Sequence, residues 1–466
     1  MATVATLSAE NAALRSENAA LRGRLAVFEA KVGESSRNSG KPPSSDPPDV
    51  RGERPARPSS GKAPGGQPGH KGHRRNLVPA EQVTRSKDCF PKRCRGCRAG
   101  LPNVAEGDPL VHQVIDIPKI VADVSQWLLH AVRCPDPRCS VLTRARLPQG
   151  VPAGMVGVDL MAFMALVTAS YKVSRRSVRQ FVADLISVKL SLGTISNSEE
   201  KLSEIIRPSH DEAALIVDRA RAKNGDATSW RQCGEARTLW VIASRLATVF
   251  HIVGDGTMAT LRSLIGSLGG VLMSDRGAQF GFWAMEKRQI CWAHLIRKFV
   301  AFSEHSDDTV RALGEGLLYT SQALLHHWHR VRDGTLSRKR FASVMVPNAE
   351  AMIIRQLERG IALRRRGVSG ACANILKHRA ALFTFATAPG VEPTNNHAER
   401  ELRGFVLWRK MCLGSQSDRG DRFAERMMTV IATLRKQGRH PLTFLRDAIS
   451  ASLRNAPIPS LLPLTP

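Results

Sequence analysis

The chain of 466 residues contains no apolar run long enough to cross a membrane. Its most apolar stretch, Val156 to Tyr171, is shorter than the ~20 residues that a membrane-spanning helix requires, and it is interrupted by Asp159. The amino-terminal residues also lack the basic segment followed by an apolar one that is typical of a secretory signal. We therefore expect a protein without membrane segments or a secretion signal.

Acidic residues are scarce. The 41 Asp and Glu residues face 68 Lys and Arg residues, which gives a formal net charge of +27 and an isoelectric point near 10.6. Such an excess favours a polyanionic partner, because each phosphate contact releases condensed counterions. Proteins of the ribosome and of membrane surfaces are also basic. Here the basic residues are spread over the whole chain, which favours one long anionic ligand over a single basic tail.

The nine cysteines are not expected to form a disulfide scaffold, because the chain has no export signal. Two pairs have the spacing of metal-binding knuckles, and they are Cys94 with Cys97 and Cys134 with Cys139. Four thiolates suit tetrahedral Zn²⁺. The long gap between the pairs predicts a small β insertion. Residues 81–150 are therefore predicted to be a structural zinc module, with Cys89 or His112 as a substitute ligand; buried structural cysteines are the alternative.

Residues 1–33 have the heptad pattern of a coiled coil. The d positions are apolar, and they are occupied by Leu7, Leu14, Leu21 and Phe28. Asn11 and Asn18 fall at a positions, where a buried Asn costs stability but fixes the register and favours a parallel dimer. Oppositely charged residues occupy the facing g and e positions. We predict a dimerisation helix, with a lone amphipathic helix docked on its own protein as the alternative.

A basic linker is predicted at residues 34–80. Pro, Gly, Ser and basic residues dominate it, and such a segment buries too little apolar surface to offset the entropy lost on ordering. Lys71, Arg74 and Arg75 lie on Gly-rich backbone that can approach a phosphate chain closely. We interpret them as candidates for DNA contacts; a plain spacer is the alternative.

Residues 151–220 have a helical pattern. The stretch from Ser174 to Leu202 predicts a basic amphipathic helix, a short break near residues 191–194 and a second helix. This arrangement suits a helix-turn-helix in a major groove. It suits three packed helices without DNA contact equally well.

Residues 221–302 change to an α/β pattern. Three strands in succession are followed by a helix, a strand, and then a further strand and helix, which predicts a mixed sheet. Asp226 lies on the first of these strands, and Asp275 lies at the end of the fourth.

The chain is predicted to be multidomain, since 466 residues exceed one ordinary core. A helical insertion is predicted over residues 303–390. Residues 391–456 return to the α/β core with a helix that carries Glu399, and residues 457–466 are predicted to be a loose tail.

Asp226, Asp275 and Glu399 each have a structural explanation when taken singly. A turn cap suffices for Asp226, a type I turn for Asp275, and a capping box that begins at Asn396 for Glu399. Together, two aspartates on neighbouring strands and a glutamate on a helix can converge on one point. Three such carboxylates repel each other unless divalent cations lie among them, which predicts a Mg²⁺ (or Mn²⁺) site. Basic residues of the same helix are candidates for holding a DNA backbone beside it, and they are Arg400, Arg403, Arg409 and Lys410.

At these residues the chain resembles the IS66-type insertion-sequence transposases over nearly its whole length. The shared pieces are NSGKPPSSD, GGQPGHKGH, the two cysteine pairs, QICWAHLIRKF and TNNHAERELR. The resemblance implies a ribonuclease H-like catalytic core with an Asp-Asp-Glu triad, in which Asp226 is the first aspartate, Asp275 the second and Glu399 the glutamate. It also implies cutting at the ends of a mobile element and joining of the freed 3′-hydroxyls to target DNA.

Two motifs depart from the family. The first usually reads Asp-Glu-Thr, and here Ala227 follows Asp226; the second usually reads Asp-Gly-Tyr, and here Arg276 follows Asp275. A carboxylate lost beside the first aspartate would weaken metal binding. Asp255 is a rival for the second aspartate, ranked lower because it precedes a helix instead of ending the fourth strand.

Cys291 and His294 form a further pair, at a strand–helix junction. We interpret them as core packing in preference to a metal site, with His294 placed to orient substrate. Three functions remain open: a transposase, a non-catalytic DNA-binding regulator, and a nuclease that cuts without joining. Expected partners are DNA, a second copy of the chain or a higher assembly, and accessory proteins of the same element. We expect a cytoplasmic protein associated with the bacterial nucleoid.

Overall fold

The computed structural model describes residues 76–462, together with Arg15, Glu17 and Asn18. The predicted coiled coil otherwise lies outside the described residues, as do Lys71, Arg74 and Arg75. The chain divides into a smaller unit, residues 52–123, and a larger unit formed by the rest. No helix in the described part of the chain is both long and apolar enough to cross a membrane.

The smaller unit has little regular structure between residues 76 and 123. A 3-10 turn, Ala80–Gln82, is followed by an isolated antiparallel bridge between Arg93 and Gly100. Of the β insertion predicted between the cysteine pairs, the structure has one strand, at residues 131–133, and residues 101–130 contain none. In the described part of the chain no strand pairs with the alternating sequence of residues 101–130, and a strand without a paired neighbour is not stable. The hairpin lies instead around the second cysteine pair.

The larger unit begins with that hairpin. Strands β1 (Ala131–Arg133) and β2 (Leu142–Arg144) pair antiparallel, with Cys134 and Cys139 in the connection. Four helices follow, and they are α1 (Val158–Tyr171), α2 (Arg175–Ile186), α3 (Leu192–Ile205) and α4 (Arg207–Asp218). The predicted break is present, because Ser191 caps α3 by accepting a hydrogen bond from the N–H of Thr194.

A five-stranded mixed sheet forms the centre of the larger unit. Its strands are β3 (Ala222–Gln232), β4 (Glu235–Ala243), β5 (Thr248–Val253), β6 (Val271–Ser274) and β7 (Arg288–Ile290). The spatial order is β5-β4-β3-β6-β7, with β3, β4 and β5 antiparallel and β3, β6 and β7 parallel. Helix α5 (Met258–Leu264) joins β5 to β6. The predicted mixed α/β arrangement is confirmed.

A helical segment with its own core follows the sheet. Its helices are α6 (Trp292–Ser303), α7 (Asp308–Arg332), α8 (Arg338–Arg340), α9 (Val346–Ala362), α10 (Ser369–Lys377) and α11 (Thr384–Thr387), with a π-helical turn at Phe341–Met345. Apolar side chains of these helices form a cluster separate from the main core of the sheet and the helices α1 to α4. The 3-10 turns of the unit are Ala278–Phe280, Met285–Lys287 and Arg379–Ala381.

Three final helices return to the sheet, and they are α12 (Asn396–Cys412), α13 (Asp418–Lys436) and α14 (Pro441–Leu453). Helix α13 covers edge strand β5. Side chains one helical turn apart accept the N–H groups of alternate β5 residues: Thr433 from Thr248 (3.2 Å), Thr429 from Phe250 (3.1 Å) and Glu425 from Ile252. The backbone N–H groups at this edge of the sheet therefore have side chains of α13 as their hydrogen-bond acceptors.

The tail was expected to be loose from residue 457, and the structure differs. Leu461 is fully buried, its N–H donates to the Glu212 carboxylate, and its carbonyl accepts from the Gln437 amide at 2.8 Å. These partners are distant in sequence, so composition alone does not indicate the contact.

Candidate active site

The first aspartate is held on the central strand. Asp226 lies on β3 opposite Val241 of β4, and Asn224, two residues earlier, pairs in parallel register with Met273 of β6. The side chain is partly buried, and one carboxylate oxygen accepts the N–H of Ala227 at 2.8 Å. Because β6 runs parallel to β3, the residue that follows β6 comes out at the same edge of the sheet.

That residue is Asp275. One of its carboxylate oxygens accepts the N–H of Gly277 at 2.9 Å, which fixes the turn after β6. Arg288, a buried residue of β7, donates to the carbonyl oxygen of Asp275 at 3.0 Å and to the hydroxyl of Ser274 at 3.1 Å. The turn that carries Asp275 is therefore attached to the neighbouring strand.

Glu399 lies in the first turn of α12, and Asn395 fixes the start of this helix. The buried Asn395 side chain donates to the carbonyl oxygen of Gly225 at 2.9 Å and accepts from the Asn224 amide at 2.9 Å. Its backbone N–H donates to the Cys291 sulfur at 3.1 Å. One asparagine thus connects the glutamate's helix to the residue beside Asp226. No capping box forms at Asn396, since the helix is capped at Asn395 without a side-chain hydrogen bond.

The three carboxyl groups share one electrostatic environment. The pKa of Asp226 is raised to about 7, chiefly because the carboxyl is buried and also because Asp275 and Glu399 carry negative charge nearby. The N–H of Ala227 and the charge of Arg297 act in the opposite direction. Asp275 and Glu399 therefore lie near enough to Asp226 for their charges to act on it.

Cys291, His294 and Arg297 of the α6 junction face Glu399. His294 Nδ1 lies 3.9 Å from one Glu399 oxygen, and Arg297 Nη2 lies 3.7 Å from the other. The Cys291 sulfur, a His294 nitrogen and a Glu399 oxygen lie within 4.8 Å of one another. Among the described residues, Glu399 Oε1 and His294 Nδ1 are buried without a hydrogen-bond partner. Buried polar atoms of this kind normally have a hydrogen-bond partner, so these two neighbouring atoms are candidates for contact with a ligand.

A sequence model described as "Transposase IS66 family" matches residues 153–422, a span that contains Asp226, Asp275 and Glu399. The chain belongs to the IS66 family of transposases. A second model, a family of unknown function, matches residues 2–76. No curated protein shows significant similarity to the chain. Membership of the IS66 family makes this chain a transposase, with DNA as its partner and divalent metal ions as its cofactors.

Carboxylate oxygens are the ligands that Mg²⁺ prefers. Glu399 Oε1 offers one such oxygen, since it is buried and has no hydrogen-bond partner among the described residues. Asp255, the rival for the second aspartate, forms other contacts. Its carboxylate accepts hydrogen bonds from the Thr260 hydroxyl at 2.6 Å and from the Thr257 N–H at 2.9 Å. These contacts lower the pKa of Asp255 and organise the start of α5.

The basic residues of α12 separate into two groups. Arg400, Arg403 and Lys410 are exposed, at spacings that place them on one face of the helix. Arg409 instead turns toward β3, where its guanidinium donates to the Ser229 carbonyl oxygen and to the Thr228 hydroxyl at 3.3 Å. The first group is accessible to DNA, whereas Arg409 joins the helix to the strand.

Each cysteine pair has the local backbone of a tight turn. Cys94 donates its N–H to the Ala99 carbonyl at 2.9 Å, and the backbone N–H groups of Cys97 and Gly96 lower the pKa of the Cys94 thiol. In the second pair, the N–H of Cys134 donates to Val141 and that of Cys139 to Asp136.

Sequence reasoning missed Asn395, Arg288 and Arg297 as parts of this site. The signal for Asn395 was present in the TNNHAER piece, but its role depends on a contact with Gly225, 170 residues away.

Proposed function

We propose that this transposase uses an Asp-Asp-Glu triad, in which Asp226, Asp275 and Glu399 hold Mg²⁺ or Mn²⁺. One observation carries the proposal. The negative charges of Asp275 and Glu399 both act on the buried Asp226, and Glu399 Oε1 has no hydrogen-bond partner among the described residues. Such a cluster is unfavourable without a bound cation.

The sheet supports a ribonuclease H-like core. Three antiparallel strands are extended by two parallel ones, and the helix that carries Glu399 lies along the first strand. This is the arrangement that the resemblance implies.

The proposed reaction breaks a strand at the element's end and joins the freed 3′-hydroxyl to target DNA. Bound divalent ions would supply activation of a water or 3′-hydroxyl and stabilisation of the leaving oxygen. The chain's own contribution is positioning: Asn395 fixes Glu399 relative to β3, and Arg288 fixes Asp275. Arg400 and Arg403 are exposed and suited to hold backbone phosphates.

Strand transfer on supercoiled donor DNA with the element's own ends tests this function. Alanine at Asp226, Asp275 or Glu399 should lower cleavage and joining by about 10⁴-fold or more, because groups that act as a unit fail together. DNA binding should persist. Asp255→Ala is the matched control and should keep substantial activity. Joining at the wild-type rate by any triad variant would refute the assignment.

The same assay separates the alternatives. A wild-type protein that binds the ends and does nothing more is a regulator, and one that cuts without joining is a nuclease.

Two structural proposals rest on the sequence. The four cysteines, Cys94, Cys97, Cys134 and Cys139, are proposed to bind one structural zinc; folded protein that is zinc-free on metal analysis would contradict this. Residues 1–33 are proposed to form a parallel dimer, for which deletion of those residues should lower the sedimenting mass.

A further inference from the structure

A cavity of about 890 Å³ lies at the far end of the strand–helix pair that carries the triad. Trp230 of β3 and Trp408 of α12 both line it. At ~3.3 Å per strand residue, Trp230 lies ~13 Å beyond Asp226. At 1.5 Å per helical residue, Trp408 lies ~13 Å beyond Glu399.

The strand and the helix run side by side over this distance. Asn395 joins α12 to Gly225 at one end by a hydrogen bond of 2.9 Å. At the other end the rings of Trp230 and Trp408 pack edge to face, with centroids 6.4 Å apart. The cavity therefore has a fixed position relative to the triad.

The first turns of three long helices line the cavity. They are α2, α3 and α13, whose capping residues are Ser174, Ser191 and Ser417. Each helix start carries partial positive charge, which favours an anion.

Four cationic side chains add to this charge, and they are Lys172, Arg175, Arg176 and Arg419. No described residue that lines the cavity is acidic. Arg175 and Arg419 are paired outside it with Glu199 and Glu200.

Lys172 is a half-buried cation without a carboxylate partner in the described part of the chain. Its ammonium donates to the Ser170 carbonyl oxygen at 3.1 Å and lies over the Trp408 ring, 5.3 Å from the centroid. Burial is the main reason that its pKa is lowered to about 8. Arg176 is exposed and makes no ion pair with another described residue. Both charges lack a counter-ion among the described residues, but the Lys172 ammonium already donates to two backbone carbonyl oxygens and to the Met428 sulfur. Arg176 is therefore the side chain placed to donate to an anion, with Lys172 adding its charge.

The remaining wall is largely apolar, and its larger members include Leu192, Trp408, Met411 and Phe423. An inorganic phosphate would use the cationic rim and leave this wall bare. A nucleotide has both a charged phosphate and an apolar base face, and the volume of the cavity is that of an ordinary ligand site.

We propose that this cavity binds one nucleotide of the DNA strand, displaced from the duplex ~13 Å from the triad, with its phosphate at the rim and its base against the apolar wall. The inference rests on the proposed DNA-processing function. A DNA strand is favoured over a free nucleotide because the cavity shares its strand and helix with the triad.

Fluorescence anisotropy on two short duplexes of the same sequence tests the proposal. One duplex is blunt, and the other carries a single unpaired terminal thymidine nucleotide. Binding is measured without Mg²⁺ or Mn²⁺, so that the result does not depend on the triad. The wild-type protein should bind the second duplex about tenfold more tightly, as expected for one well-contacted base.

Arg176→Ala and Gly193→Leu should each reduce that ratio to within about twofold, the first by removing charge and the second by filling the cavity. A Cβ at Gly193 meets only the Ser191 hydroxyl, at 3.6 Å, so a side chain can start there without a clash. The matched control is Arg179→Ala, on the exposed face of the same helix and outside the cavity. It should weaken binding of both duplexes equally and keep the ratio.

Equal binding of the two duplexes by the wild-type protein would overturn the proposal, and so would an unchanged ratio in both cavity variants. Competition by small ligands shows which part of the nucleotide the cavity recognises. Thymidine monophosphate should remove the preference at a lower concentration than inorganic phosphate does. Equal potency of the two would mean a simple anion site. Tight binding of the free nucleotide without any preference between duplexes would mean that DNA is not the ligand.

Discussion

Two carboxyl groups of the larger unit, those of Asp226 and Glu425, have similarly raised pKa values but differ in the groups that surround them. Burial is the main cause that raises the pKa of both Asp226 and Glu425 to about 7. Around Glu425, one oxygen accepts the N–H of Ile252 and the other pairs with Arg422 at 2.8 Å. Around Asp226, the neighbours include two further carboxylates, Asp275 and Glu399.

The comparison shows that a perturbed pKa alone does not mark an active site. Glu425 ends the ladder by which α13 satisfies edge strand β5, and its hydrogen bonds are complete. At the triad, like charges lie near one another and Glu399 Oε1 has no hydrogen-bond partner among the described residues. Incomplete hydrogen bonding, together with like charge, is what distinguishes a site that needs a ligand.

Beyond the triad itself, the largest effect is expected at Asn395, the residue that positions its glutamate. Asn395→Ala removes the hydrogen bonds to Gly225 and Asn224 and should lower strand transfer by about 100-fold, because small misplacements of reacting groups are costly. It should also lower the free energy of unfolding by about 1–3 kcal/mol, since the buried Gly225 carbonyl loses its donor. Activity is measured at a temperature where the variant is folded.

The neighbouring Asn396→Ala is its control. Asn396 is exposed and forms the first turn of the same helix, so this variant should retain near-wild-type activity. Equal activity of the two variants would show that the triad is assembled without Asn395.

The second effect concerns Glu425 and stability alone. Its folded pKa of about 7 exceeds the unfolded value near 4.5. The unfolded chain therefore ionises first as the pH rises, and stability is lost between pH 4.5 and about 7, by ~3 kcal/mol in total. Glu425→Gln should remove this part of the pH dependence and leave strand transfer intact.

Denaturant unfolding at pH 5, 6, 7 and 8 measures the difference between the variant and the wild-type protein. The substitution Glu358→Gln, at an exposed position of α9, should leave the pH dependence unchanged. A Glu425→Gln protein with the wild-type pH profile would mean that this carboxyl ionises freely in the fold.

The sequence predicted the succession of strands and helices along the chain and proposed three carboxylates, because strand periodicity and motif residues are local properties. It did not predict what assembles them. Asn395 acts on Gly225, and Arg297 faces Glu399 across a long helical segment. Contacts at such separation depend on the packed fold.

The same limit explains the two structural corrections. The apolar alternation before residue 131 predicts strands, yet no strand among the described residues pairs with it. The Pro-rich tail predicts disorder, yet Leu461 is buried by contacts with Glu212 and Gln437. Local composition determines neither the missing strands nor the buried tail, because each depends on contacts with residues that are distant in sequence.

The smallest effect is expected within the ladder itself. Thr429 is fully buried, and its hydroxyl accepts the N–H of Phe250 at 3.1 Å. Thr429→Val keeps the volume but leaves that N–H without an acceptor, which should lower the free energy of unfolding by about 1–2 kcal/mol. Thr429→Ser keeps the hydroxyl and loses one methyl group. Hydrogen exchange of the Phe250 amide should therefore stay slow in the serine variant and become faster in the valine variant. Strand transfer should be unaffected in both, because β5 lies at the edge of the sheet away from Asp226. The contrary result is that the amide hydrogen of Phe250 exchanges as slowly in the valine variant as in the serine variant. That result would mean that the side-chain hydrogen bonds of α13 do not protect this edge of the sheet, and that the surroundings of Glu425 are not explained by them.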